Sequence, residues 1–119
     1  MTVNILGTEY TITKKKYTEE EEAFSRRSID GFCDSFTKQI VYCDMSTYKD
    51  WEYELPETVA ACEKRCIRHE IVHAFLSESG LADSSFPYDG AWAGNEEMVD
   101  WIASQGPKIY AAWAQAGVI

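Results

Sequence analysis

The two histidines of this 119-residue chain both fall in one pentapeptide, His69-Glu70-Ile71-Val72-His73. The pattern is H-E-x-x-H inside an apolar run that reads as helix. Residues four apart on an α-helix share a face with a rise of about 6 Å between them, so two imidazoles can converge on a single ion at roughly 2.0–2.1 Å. Glu70, next along the helix, points beside such an ion. There it could take a proton from a water on the metal and pass it to a leaving group. The alternative is two ordinary part-buried helix histidines, but the flanking Ile71, Val72, Phe75 and Leu76 offer a His pair no obvious polar role.

Length and charge narrow the setting. A chain of 119 residues is expected to form one domain, 1–119, with a modest core. The start Met1-Thr2-Val3-Asn4-Ile5-Leu6-Gly7 has no basic residues and only a short apolar run, and no stretch approaches the roughly 18 apolar residues of a membrane span. A cytoplasmic location without a membrane partner is therefore expected. The net charge of −9 argues against nucleic acid, which needs a Lys/Arg footprint. The short run Lys14-Lys15-Lys16 gives way at once to Glu19-Glu20-Glu21-Glu22 and reads as solvated surface. Cys33, Cys43, Cys62 and Cys66 show no CxxC pair and read as reduced core thiols. Cys66 and His73 are seven residues apart, about 10 Å of helix rise, too far to meet on one ion.

Alternation at Val3, Ile5, Tyr10 and Ile12 predicts a hairpin turning near Leu6-Gly7-Thr8. Thr18, followed by acidic residues, predicts the N-cap of a short helix running to about Ser28. Phe32-Cys33-Asp34 and Gln39-Ile40-Val41-Tyr42-Cys43, around Ser35-Phe36-Thr37-Lys38, predict a second hairpin, and the strands are expected to make one small antiparallel sheet. Met45 to Glu54 is a connection that brings Tyr48, Trp51 or Tyr53 either to the site or over the core. Pro56 and Glu57 suit the first turn of the main helix, which ends near Gly80. Its apolar positions Val59, Cys62, Cys66, Ile67, Ile71, Val72, Phe75 and Leu76 crowd towards the C-terminal half, so the motif should be half-buried and the first turns wet. Residues 81–94 are rich in turn formers and predict a loop over the site. A last helical region follows from Asn95 to about Ala116, interrupted at Gly106-Pro107.

A catalytic zinc site usually has three protein ligands and an open position. Asn95-Glu96-Glu97-Met98-Val99-Asp100 can supply the third: Asn95 caps the helix, Glu96 starts it and Asp100 lies four residues on, on the same face. Glu96 would ligate the ion while Asp100 receives the N–H of a ligand histidine and fixes its tautomer. Glu97 is the rival ligand. Periodicity favours Glu96, which shares the inward stripe of Val99, Ile102 and Ala103, whereas Glu97 lies about 100° to its side. The structural alternative is that both glutamates only complement the helix dipole.

His69-Glu70-Ile71-Val72-His73, followed by Asn95-Glu96 and then Asp100, resembles the gluzincin branch of zinc metallopeptidases, which carry H-E-x-x-H and N-E-x-x-x-D. The short chain with strands before the motif helix is similar to minimal zincins, many of them phage- or prophage-encoded, related to the ImmA/IrrE group that cleaves repressors. That resemblance implies Glu70 as general base, His69, His73 and Glu96 as zinc ligands, and Asp100 as the carboxylate behind them. The two motifs cover a small part of the chain. Val99 replaces the small hydroxyl residue of thermolysin-like enzymes, and there is no third histidine to donate to the transition state; Tyr88 is a candidate by location.

The expected architecture is α+β, a small antiparallel sheet packed on the motif helix with a C-terminal helix bringing in Glu96. The expected activity is zinc-dependent hydrolysis of a peptide bond in a protein or peptide substrate, such as a specific regulatory protein. The alternative is a non-catalytic regulatory or protein-binding module that zinc holds together, for which a fourth protein ligand in place of water would speak.

Overall fold

A computed structural model describes residues 1–48, 51, 53–83, 92–116 and 119. It is α+β, a four-stranded sheet with two main helices. The strands are β1 (Thr2–Ile5), β2 (Thr8–Lys16), β3 (Gly31–Asp34) and β4 (Gln39–Asp44). The helices are α1 (Pro56–Glu78) and α2 (Glu96–Ala116).

Both expected hairpins form. β1 and β2 turn through Leu6 and Gly7, whose φ values of 50° and 92° are those of a two-residue type I′ turn. β3 and β4 pair antiparallel around residues 35–38, where Asp34 Oδ1 accepts from the N–H groups of Phe36 and Thr37. The sheet as a whole is not antiparallel as expected but mixed: its order is β1-β2-β4-β3, and β2 runs parallel to β4 from Thr11 against Gln39 to Lys16 against Asp44. Had the hairpins met through β2 and β3, every pair would have been antiparallel. The apolar run of β4 suits the inner position it takes. Ile40 points to one face and Val41 and Cys43 to the other, all buried, the pattern of an inner strand rather than of an alternating, half-exposed one.

Each face of the sheet has its own cover. Ile5, Tyr10, Ile12 and Ile40 pack with Ile67, Ile71 and Ala74 of α1. Val41 and Cys43 pack beneath Ala23 and Phe24. These two residues belong not to the regular helix expected up to Ser28 but to a 3-10 turn, Tyr17–Glu20, followed by a π turn, Glu22–Arg26. Thr18 caps neither. The Lys16 N–H goes to Glu19 at 2.6 Å and the Tyr17 N–H to Thr47 at 2.9 Å, so the chain starts to wind before Thr18. The run Lys14-Lys15-Lys16 lies at the surface as expected, with Lys14 paired to Glu63 and Lys15 to Glu20.

α1 begins at Pro56 and closes on Gly80, whose φ of 82° suits the left-handed residue that ends a helix. Its first turns are exposed and its later ones are half-buried, as expected, although Phe75 faces outward. Gly31 brings β3 against this helix. A Cβ there would lie 2.7 Å from Cys66 Sγ, 2.9 Å from Val41 O and 3.4 Å from Glu70 Cγ. At the other end of α1, Glu78 accepts hydrogen bonds from Thr8, Tyr10 and Lys38, tying both hairpins to the helix.

α2 is capped by Asn95, whose Oδ1 accepts from the Met98 N–H at 2.8 Å. The expected interruption at Gly106-Pro107 does not occur; the helix runs through Pro107. Proline removes the N–H that would bond the carbonyl four residues back and crowds that carbonyl aside. Here that is the carbonyl of Ala103, and Arg68 of α1 donates its Nε–H to it at 2.7 Å. The acceptor Pro107 leaves behind is thus satisfied from the motif helix.

Gly31→Ala is expected to destabilise the fold by about 1–3 kcal/mol, the usual cost of overpacking, read from the urea midpoint. Adding Cys66→Ala should restore only part of that loss, because the Val41 carbonyl cannot yield. Arg68→Met is expected to cost about 1–3 kcal/mol by orphaning a buried carbonyl. In a Pro107→Ala background, which returns the backbone N–H, the cost should nearly vanish; equal costs in both backgrounds would disprove the pairing.

Candidate metal centre

His69, Glu70 and His73 each offer a ligand atom, and these atoms lie within 4.8 Å of one another. The helix puts them together, and α2 adds to them. Glu96, first residue of α2, sets Oε2 3.1 Å from His69 Nε2 and Oε1 3.3 Å from His73 Nε2. The two Nε2 atoms are 3.0 Å apart. Three tetrahedral ligands at about 2.0–2.1 Å from an ion are spaced about 3.3 Å from one another, so the three groups stand close to the separation a shared cation would impose.

The tautomers sharpen this. Asp100 Oδ1 lies 2.9 Å from His69 Nδ1, which assigns the proton of the neutral ring to Nδ1 and leaves Nε2 with a lone pair. That lone pair faces a carboxylate oxygen and a second imidazole nitrogen. Burial holds the His73 ring below the ordinary histidine range, favouring its neutral form, with the Glu96 carboxylate acting in the opposite sense. A single proton on His73 Nε2 cannot satisfy both His69 and Glu96. A cation between them can.

Glu70 is set apart from the other carboxylates. It is 5% exposed, whereas the side chain of Glu96 is 67% exposed. Its Oε1 lies 4.0 Å from His69 Nε2, beside the convergence point rather than in it. Burial pushes its carboxyl up to about 7, the neighbouring His69 opposing and the Glu96 and Asp100 carboxylates reinforcing. A dication at the histidines would draw it down again. Of the two glutamates near the histidines, Glu96 therefore reaches both Nε2 atoms and Glu70 stands to one side of them. Among the described residues, Glu97 makes no ion pair or hydrogen bond with either histidine.

The site opens into a cavity of about 720 Å³. One wall is the face of α1 that carries both histidines and Glu70; another is Gly31, Phe32 and Cys33 of β3, the outer strand of the sheet. Of the three aromatic residues expected at the site or over the core, Trp51 lines the cavity. Tyr48 instead packs on Tyr17 and donates to Asp30, and Tyr53 is 91% exposed. Tyr88, and most of the segment expected to cover the site, lie outside the described residues. All four cysteines are free. Burial pushes the thiols of Cys33 and Cys66 up to about 12 and that of Cys43 up to about 11, which suits apolar filling rather than thiolate ligation.

Several contributors escaped the sequence reading. Gly31 carries no pattern of its own. Arg68 adjoins the motif and Ala103 lies four residues before Pro107, a signal available in the sequence once two helices are known to touch. Arg65 precedes His69 by four residues and shares its face. The chain matches no family model, no curated protein and no solved structure. Among the described residues, no helix is long and apolar enough to cross a membrane.

Proposed function

We propose that this chain is a zinc metallopeptidase of the gluzincin type, as the resemblance of its two motifs to that group implies. The observation that carries the reading is the convergence of His69 Nε2, His73 Nε2 and the Glu96 carboxylate while Asp100 holds the far nitrogen of His69. Two neutral imidazoles and one carboxylate are borderline donors that suit zinc, and three ligands leave the open position of a catalytic site. When bound, the ion would polarise a peptide carbonyl and make a water more acidic at neutral pH.

The rest falls to the side chains. Glu70, shielded from solvent yet beside the ligands, accepts the proton of the attacking water and delivers it to the departing amine. Asp100 keeps the His69 ring oriented. The outer strand β3 borders the cavity, so an extended peptide can lie along its free edge, in front of the histidine face of α1. A zinc clamp with only a structural role would close its fourth position with Cys or His. Both histidines are already engaged, and no cysteine belongs to the group formed by His69, Glu70 and His73.

Purified with zinc supplied, the protein should hold about one ion per chain, measurable by elemental analysis. His69→Ala or His73→Ala should abolish binding, and Glu96→Ala should weaken it strongly. Asp100→Ala should cost the roughly 10–100-fold typical of a residue behind a ligand, and Glu97→Ala very little. Collapse of affinity in Glu97→Ala with survival in Glu96→Ala would reverse the ligand assignment.

Glu70→Gln tests the chemistry apart from the metal. It should retain zinc and lose peptide hydrolysis, assayed with a quenched-fluorescence peptide mixture. Zinc lost together with activity would make Glu70 a ligand, and full activity in the variant would remove its role as base.

A further inference from the structure

Beyond the histidines the cavity continues towards the N-terminal end of α1, where Arg65 stands one turn before His69 on the same face. Arg27, from the segment leading into β3, lines the same cavity. The chain as a whole carries 11 Lys and Arg against 20 Asp and Glu. Lys14, Lys15, Arg26 and Lys38 each pair with a carboxylate, and Arg68 is spent on Ala103. Among the described residues Arg27 makes no ion pair. Arg65 has only a 3.8 Å contact with Asp100 Oδ1, the same oxygen that lies 2.9 Å from His69 Nδ1. Asp30 lines the cavity too, but its Oδ1 accepts the Tyr48 hydroxyl proton.

We propose that Arg27 and Arg65 bind a carboxylate of the peptide substrate at the end of the cleft away from Ser77. The inference deepens the peptidase reading and rests on it. Guanidinium groups on a cavity wall, with hydrogen-bond donors to spare, are matched to a planar carboxylate. They also offset part of the charge of Asp30, Glu96 and Asp100, which line the same cavity. Arg65 lies six residues before the midpoint of the histidine pair, about 9 Å along the helix, which an extended peptide spans in about three residues. The selected carboxylate thus sits about three residues from the cleaved bond. It comes either from an Asp or Glu side chain or from the free C-terminus of the substrate.

The test uses the full-length, zinc-loaded Glu70→Gln protein and fluorescence anisotropy with four matched peptides. One is neutral and amidated, one carries an internal Asp and is amidated, one is neutral with a free C-terminus, and one carries an internal Lys and is amidated. At least one carboxylate peptide should bind about tenfold more tightly than the neutral one, and which of the two does so identifies the source. Adding Arg27→Glu and Arg65→Gln should erase that preference without changing affinity for the neutral peptide or the zinc content. Equal binding of all four peptides, no binding of any, or a preference that survives the arginine changes would overturn the proposal. Hydrolysis by the protein with Glu70 intact reports separately on the peptidase reading. Cleavage without acidic preference removes the carboxylate site alone, whereas carboxylate preference in binding without any cleavage removes the peptidase reading and leaves the site.

Discussion

The close approach of β3 to α1 at Gly31 is the contact on which the candidate site depends. With hydrogen in place of a side chain, the strand lies against the helix at the level of Cys66 and Glu70. That approach takes the Glu70 carboxyl out of water while leaving the histidine faces half-buried. Burying a carboxylate without a paired cation costs several kcal/mol, or the group holds its proton instead, which is the direction in which Glu70 moves. A fold that kept Glu70 buried for no purpose would carry that cost uncompensated. In the proposed peptidase, a proton carrier would use the same burial.

A second junction, between the two helices, brings Glu96 to the histidines. α2 could have broken at Pro107, and a broken helix would free its first turns to pivot. The Arg68 bond to the Ala103 carbonyl allows the helix to continue and fastens it to α1 one residue before His69. Val99 and Ala103, both buried, fill the space between the helices. Glu96 and Asp100, one turn apart, then reach the two histidines together. Packing, a rescued carbonyl and a helix cap at Asn95 thus act on one geometric result, the placement of two carboxylates about an imidazole pair.

Charge follows the same plan. At the surface, Lys14, Lys15 and Lys38 pair with carboxylates and bridge strands, helical turns and α1. Such exposed pairs contribute little individually. Their effect is to leave Arg27 and Arg65 as the cations of the cavity wall, next to a cluster whose own carboxylates would be offset by a dication.

The local pattern of residues was enough to determine the spacing of His69 and His73 on one helix face, the capping of α2 by Asn95, both hairpins, and the choice of Glu96 over Glu97 as the inward carboxylate, because each depends on a period or a turn within a few residues. Tertiary structure alone decided the parallel pairing of β2 with β4, since alternation marks the faces of a strand but not which edge of one hairpin meets the other. It alone decided that Pro107 would not end α2, because the group that satisfies Ala103 comes from 35 residues away. It also decided the burial of Glu70, which follows from a glycine on a different strand. Properties set by one residue and its near neighbours are legible along the chain; those set by a partner that must first be brought into contact exist only after folding.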